Sequence, residues 1–416
     1  MDFSLPKAAF ISYFTTEDKT LIFLVKNDNK QQTYVFEAKL SDNRALTKSQ
    51  IAVYYLRFLA DFNGLTPNWE SSKNALLIGE CLELKPKIAP YRRFYDPNYD
   101  PAPLLLKEKY KLKKLTYMEE ISKALLPKEL KNEIRNCELL CFSPHGLLHA
   151  LPFHALYWKT NEYLIERFGV CYTPSMSVLR HCMLKNPRRQ KREYKSESCF
   201  VACVGTAEND PTDFENDINF LTDKFGQTTL VALRGSQASK NNVLKNMQNF
   251  DIIHFACHGL FGEEGGSNAS ESSLLLSDGG PLINWNTLRE ISDNDRKSYF
   301  LTAQEILNLR LKAELVTLRA CSSGRAVIRS GDELMGLARS FLYAGTPSLI
   351  ASLWNVNIKS SYKLLEKFYQ LWLGKTDSVP KWKALQRAEI SLLNDEREDY
   401  HHPYHWASLI LIGDWL

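Results

Sequence analysis

The chain has 416 residues, 44% of them hydrophobic, which is enough to build a sizeable core in two or three domains or one long two-part domain. Its 52 basic and 48 acidic residues leave a formal net charge of +4, too balanced for nucleic acid or an anionic membrane to be the main partner. Nine scattered cysteines without a CxxC pair, no secretory leader, and apolar runs shorter than the roughly 18 residues a bilayer span needs lead to the expectation of a soluble cytoplasmic protein.

In chain order, "AAFISYFTTEDKTLIFLVKNDNKQQTYVFEAKL" predicts an antiparallel meander, and "SQIAVYYLRFLADFNGL" a helix ending at Gly64. A Pro- and Tyr-rich loop, "PYRRFYDPNYDPAP", precedes a helical stretch around "YMEEISKALLPKELKNEI". Then "CELLCFSPHGLLHALPFHAL" predicts a buried strand, a turn at Pro144 to Gly146 and a segment packed back upon it. Its His145, His149 and His154 read as structural. The segment Leu184 to Ser198, with six lysines and arginines, reads as an exposed linker and divides the chain into 1–183, 184–198 and 199–416.

Beyond the linker, strands and helices alternate. "CFVACVGTA", "TTLVALRG", "DIIHFACHG", "AELVTLRAC", "TPSLIASLWNV" and "WASLILIGDW" read as strands, most of them apolar on both faces. "DFENDINFLTDKF", "SKNNVLKNMQNF", "TAQEILNLRL" and "GDELMGLARSFLYAG" read as helices between them, with two more helices before the last strand. This pattern predicts an α/β fold with a mostly parallel sheet covered by helices on each side.

In such sheets, reactive loops lie beyond the carboxyl ends of the strands. Here one strand ends on His258-Gly259 and another on Cys321, which is followed by Ser322, Ser323 and Gly324. An imidazole that takes a thiol's proton makes it a nucleophile at neutral pH, and glycines beside both residues leave amide N–H groups free to bind an oxyanion. His258 and Cys321 are thus a candidate dyad. By residue type alone, His254, Cys257, His258 and Cys321 also form a possible zinc quartet, but strand alternation puts 257 on the face opposite 254 and 258. His254 then reads as a core histidine and Cys257 as an inert thiol.

"HFACHGLF", "LRACSSG", "GDELMGLARSFLYAGTPSLIASLWNVN" and "HPYHWASLILIGDW" resemble the successive motifs of the CHAT peptidases, relatives of caspases and separase. The first half resembles the family's opening hairpin and central strand. The resemblance implies a caspase-like fold, with a degenerate, non-catalytic caspase-like unit ahead of the catalytic one. It implies a cysteine endopeptidase without cofactor, with His258 as base, Cys321 as nucleophile and the main-chain N–H groups of Gly259 and Cys321 as oxyanion donors. Asp332 and Glu333 are similar in position to residues shaping the pocket for the substrate side chain before the scissile bond, where they would favour Lys or Arg. The helix dipole is an equal explanation of an acidic pair opening a helix.

Many members carry Asp where Asn357 stands, and Ser322 and Ser323 replace other small polar residues. Met1 starts almost at the domain itself, so control is expected from a separate activating protein, an oligomer or a cleavage event. Similar bacterial proteases act in immunity, on gasdermin-like proteins or CRISPR-gated targets, with protein substrates and no direct nucleic-acid or membrane binding. The rival readings are a CHAT-fold scaffold and a zinc-dependent hydrolase. Two further expectations are self-cleavage within Lys185 to Lys195 and a loop, Gly262 to Ser273, that orders over the site.

Overall fold

The computed structural model describes residues 6–27, 32–52, 54, 116–186, 198–207, 212–226, 229–260, 272–284, 287, 292–320, 327–328, 334–354, 356–374, 378–395 and 400–416. They fall into two compact units, 4–170 and 171–416. The basic segment proposed as a divider therefore follows the start of the second unit, and its residues 187–197 lie outside the described residues.

In the first unit, β1 (Ala8–Thr15), β2 (Thr20–Lys26) and β3 (Thr33–Glu37) form the antiparallel meander read from their alternating residues. The predicted helical stretch is two helices, α1 (Thr116–Leu125) and α2 (Lys128–Ile134), because Pro127 cannot continue the first. The fully buried β4 (Leu139–Ser143) runs parallel to β1, and two short 3₁₀ turns, Gly146–Ala150 and Phe153–Ala155, fold the next segment back. Phe142, Phe153 and Tyr13 stack into this unit's core. His154 is buried, and His145 Nδ1 accepts the Thr15 amide at 3.3 Å. β5 (Gly169–Tyr172) carries the chain into the second unit.

The second unit follows the predicted alternation. After α3 (Met176–Lys185) come β6 (Cys199–Val204), α4 (Thr212–Phe225), β7 (Leu230–Arg234), α5 (Lys240–Asn246) and β8 (Ile252–Cys257). Then follow β9 (Leu315–Arg319), α6 (Leu337–Ala344), β10 (Ser348–Ser352), α7 (Ile358–Trp372), α8 (Lys381–Leu393) and β11 (Leu409–Gly413). The strands lie in the order β7-β6-β8-β9-β10-β11. The first five are parallel and β11 is antiparallel, so this is a mostly parallel α/β sheet.

The chain winds from β6 outward to β7, then crosses back to β8 on the other side of β6. That reversal makes a crevice at the carboxyl ends of β6 and β8, the place where open sheets bind ligands. A small antiparallel sheet, Gly259–Leu260, Ser273–Leu275 and Phe300–Thr302, continues from β8.

Three local devices hold the frame. Gly413 has φ +92°, and a Cβ there would lie 2.3 Å from the Pro347 carbonyl, so only glycine closes the β10–β11 register. Asn357 caps α7 by accepting the Ser360 amide at 3.0 Å, a role Asp fills equally well, which accounts for the interchange at this position. Lys381 and Glu314 form a buried ion pair at 2.9 Å, and the ammonium lies 5.4 Å from the Trp372 ring centre. The predicted helix over 331–345 differs: it begins at Leu337, and Leu334–Met335 is extended, paired with Val327–Ile328. Asp332 and Glu333, read as opening this helix, lie outside the described residues.

Burial lowers the His405 imidazole to about 4 against an ordinary 6.5, with His401 adding to the effect. The unfolded chain takes up this proton first as pH falls, so the stability from neutral His405 is complete above about pH 6.5 and is lost toward pH 4. At most about 3 kcal/mol is involved. Denaturant midpoints should fall between pH 6.5 and 4, and His405→Gln should flatten that slope; equal slopes would contradict this assignment.

Candidate functional site

His258 follows β8 directly, at the crevice between β6 and β8. It is 7% exposed, its carbonyl accepts the Leu275 amide at 2.8 Å, and Gly259 pairs with Leu274. Cys321, Asp332 and Glu333 lie outside the described residues, as do 261–271 of the loop after His258. The last described residues before the cysteine are placed, however. β8 and β9 are paired from Ile252 beside Leu315 to Ala256 beside Arg319, a constant offset of 63 (319 − 256).

Strand alternation puts His254, Ala256 and His258 on one face of β8, with Thr317 and Arg319 on the matching face of β9. That face meets α4 and α7. Phe255 points to the opposite side, where it packs on Phe341 of α6.

Beneath His258 the structure gathers a polar cluster that the sequence reading did not single out. Asp217 of α4 is fully buried and grips Arg319 with both oxygens, at 3.0 Å to Nε and 2.6 Å to Nη2. Its Oδ1 also meets His254 Nε2 at 2.9 Å. Burial alone would raise this carboxyl, but the Arg319 charge and the His254 hydrogen bond outweigh it and hold the group below its ordinary value. An ionised Asp217 can only accept, so His254 Nε2–H is the donor. His254 Nδ1 lies 3.3 Å from the Tyr369 hydroxyl, which is 2.8 Å from Thr317 Oγ1.

Both ring nitrogens of His254 thus have protein partners, as a core histidine requires. That removes it from the zinc quartet proposed with Cys257, His258 and Cys321, because a ligand needs a free ring lone pair.

Phe214, one turn before Asp217, completes the wall. Its ring lies 5.3 Å from the Arg319 guanidinium and 5.3 Å from the His258 ring at 68° between planes. Only the arginine inside the apolar "ELVTLRAC" carried a signal in the sequence, as a charge in a buried strand. Beside Phe214, Glu215 lines an open cleft of about 520 Å³ with Arg234, Gly235, Ser236 and Gly279 to Leu282.

The thiols under the sheet are poor nucleophiles. Cys199, Cys203 and Cys257 are buried, and burial, with Asp217 adding to it, pushes the Cys203 thiol well up.

Comparison with known proteins gives the same architecture. The family model described as "CHAT domain" matches residues 115–414. Tetratricopeptide repeat protein 28 of Homo sapiens is 27% identical over 299 residues, and its Mus musculus counterpart 26% identical over 300. Each match covers 64% of this chain, which spans only 12% of those relatives' length. Among solved structures, Saccharomyces cerevisiae separase, in its complex with securin, superposes with a TM-score of 0.53 at 13% identity. That match covers 98% of this chain and 30% of the other. At that identity the likeness establishes the fold alone. Among the described residues, no helix is long and apolar enough to cross a membrane.

Iodoacetamide at neutral pH should leave Cys199, Cys203 and Cys257 unmodified in the native protein and modify all three in denaturant, as read by peptide mass spectrometry. Rapid native labelling of Cys257 would overturn its reading as an inert core thiol.

Proposed function

The chain belongs to the CHAT domain family, and we propose that it is a cysteine endopeptidase using His258 and Cys321 as a catalytic dyad. The observation that carries the reading is the β8–β9 register. Its offset of 63, described as far as Ala256 beside Arg319, equals the separation of the two residues (321 − 258), so the reading supposes that the same register runs on by two positions.

In the proposed reaction, His258 takes the Cys321 proton and the thiolate attacks the scissile carbonyl carbon. The main-chain N–H groups of Gly259 and Cys321 hold the oxyanion. His258 then protonates the leaving amine, and afterwards activates the water that hydrolyses the thioester. Asp332 and Glu333 supply negative charge for a Lys or Arg before the scissile bond. The basic stretch Lys185 to Lys195 would then be a self-processing site, and the loop from Gly262 to Ser273 would order over bound substrate.

The substrates are specific proteins, and a separate protein activates the enzyme in the cytoplasm, within a bacterial immune pathway that ends on a gasdermin-like or CRISPR-gated target. Family membership supports the peptidase chemistry, and the pathway is an expectation from the resemblance of the motifs. The chain's short span of its tetratricopeptide-repeat relatives leaves regulatory partners to experiment.

Peptidyl acyloxymethyl ketones with varied terminal side chains test the dyad directly. Wild type should react best with Lys or Arg probes. Cys321→Ala should abolish labelling, His258→Ala should slow it by roughly 100-fold or more, and Cys257→Ala should leave it intact. Intact masses of wild type and Cys321→Ala from the same samples report self-processing. Labelling that survives Cys321→Ala would remove the dyad and favour a scaffold.

A further inference from the structure

Arg319 is an anomaly in β9. The strand is otherwise Leu, Val, Thr and Leu, all buried, and Arg319 itself is 2% exposed. A buried guanidinium carries a large desolvation penalty unless it is paired with good geometry. Asp217 supplies that pairing, with a hydrogen bond from Nε to Oδ1 and an ionic contact between Nη2 and Oδ2. Core closure alone would be served by an apolar residue, so the pair calls for a further account.

Its surroundings supply one. The guanidinium lies over Phe214, whose ring also packs against the His258 imidazole. Phe214 and Asp217 stand three residues apart on α4 and so share one helix face. The same carboxylate holds His254, four residues before His258 on β8. One charge centre therefore ties the helix beside His258, the strand that carries it and the strand that leads to Cys321.

We propose that Asp217 and Arg319 are positioning residues for His258: through Phe214 they fix the plane of its imidazole, and as a neutralised pair they add no net charge beside the dyad. The inference rests on the endopeptidase reading, which gives His258 its reacting role.

The two parts of the inference separate experimentally. Loss of the aromatic wall frees the imidazole to rotate, which slows proton transfer without changing local charge. Loss of the Asp217 charge leaves a bare guanidinium, which favours thiolate and disfavours imidazolium. Each ionisation of the dyad sheds a proton, so both limbs of a bell-shaped pH profile then move to lower pH. Among the described residues, the titratable groups around the pair include His254 on β8, Cys203 on β6, Glu215 on α4, and Tyr362 and Tyr369 on α7. All of them stay in place in the variants below.

The experiment follows the rate of Cys321 labelling by the best peptidyl probe against pH, in full-length variants whose far-UV circular dichroism matches wild type. Asp217→Asn should shift both limbs down by roughly half to one pH unit. The double variant Asp217→Asn with Arg319→Gln should restore them. Phe214→Leu should slow labelling roughly tenfold with unmoved limbs, and Phe214→Tyr should recover the rate.

Labelling that survives Cys321→Ala fails the endopeptidase reading and this inference with it. A labelled wild type whose profile Asp217→Asn retains, or whose rate Phe214→Leu retains, overturns this inference alone. If Asp217→Asn does not fold, the Phe214 pair still decides, because equal rates there remove the positioning role.

Discussion

The carboxylate of Asp217 is the constraint on which the second unit turns. It lies in a fully buried place and is kept ionised by Arg319 and His254. Removing Arg319 would leave a buried charge unbalanced, a loss of about 3–5 kcal/mol and so a large share of a domain's stability. Because the three residues come from α4, β9 and β8, their mutual geometry fixes how the helix lies on the sheet. The hydrogen-bonded run His254–Tyr369–Thr317 extends the same constraint to α7.

The winding order turns that rigidity into a site. Strands β6 and β8 are neighbours, yet the chain leaves them in opposite directions, which opens a crevice at their carboxyl ends. His258 emerges there as β8 ends, and the turn into the small antiparallel sheet holds its backbone through the Leu275 amide. An imidazole carried by a strand end and packed against a helix side chain is held in a narrow range of orientations.

The alternation of β6 to β9 was legible because buried parallel strands read as continuous apolar runs separated by amphipathic helices. "CFVACV" and "DIIHFAC" are of that kind. The antiparallel direction of β11 was not, since an apolar run carries no sign of direction. The helix start at Leu337 was misplaced because "GDELMG" has helix-forming residues, whereas pairing of Leu334–Met335 with Val327–Ile328 holds the chain extended. His258 stood out by its place at a strand end before glycine. Asp217 and Phe214 did not, because partners brought together across 102 residues leave no local pattern. His254 could be read as a core residue from alternation, while its partners required the fold.

The central claim is that His258 and Cys321 meet at adjacent strand tips. A direct measurement is cross-linking of the His258→Cys variant under mild oxidation, with disulfides mapped by peptide mass spectrometry. Level positions on neighbouring strands bring Cα atoms within the 4.4–6.8 Å that a disulfide spans, roughly the spacing of paired strands. The account predicts a 258–321 disulfide in the folded protein. Two free thiols at these positions, each alkylated separately, would contradict the register and with it the dyad.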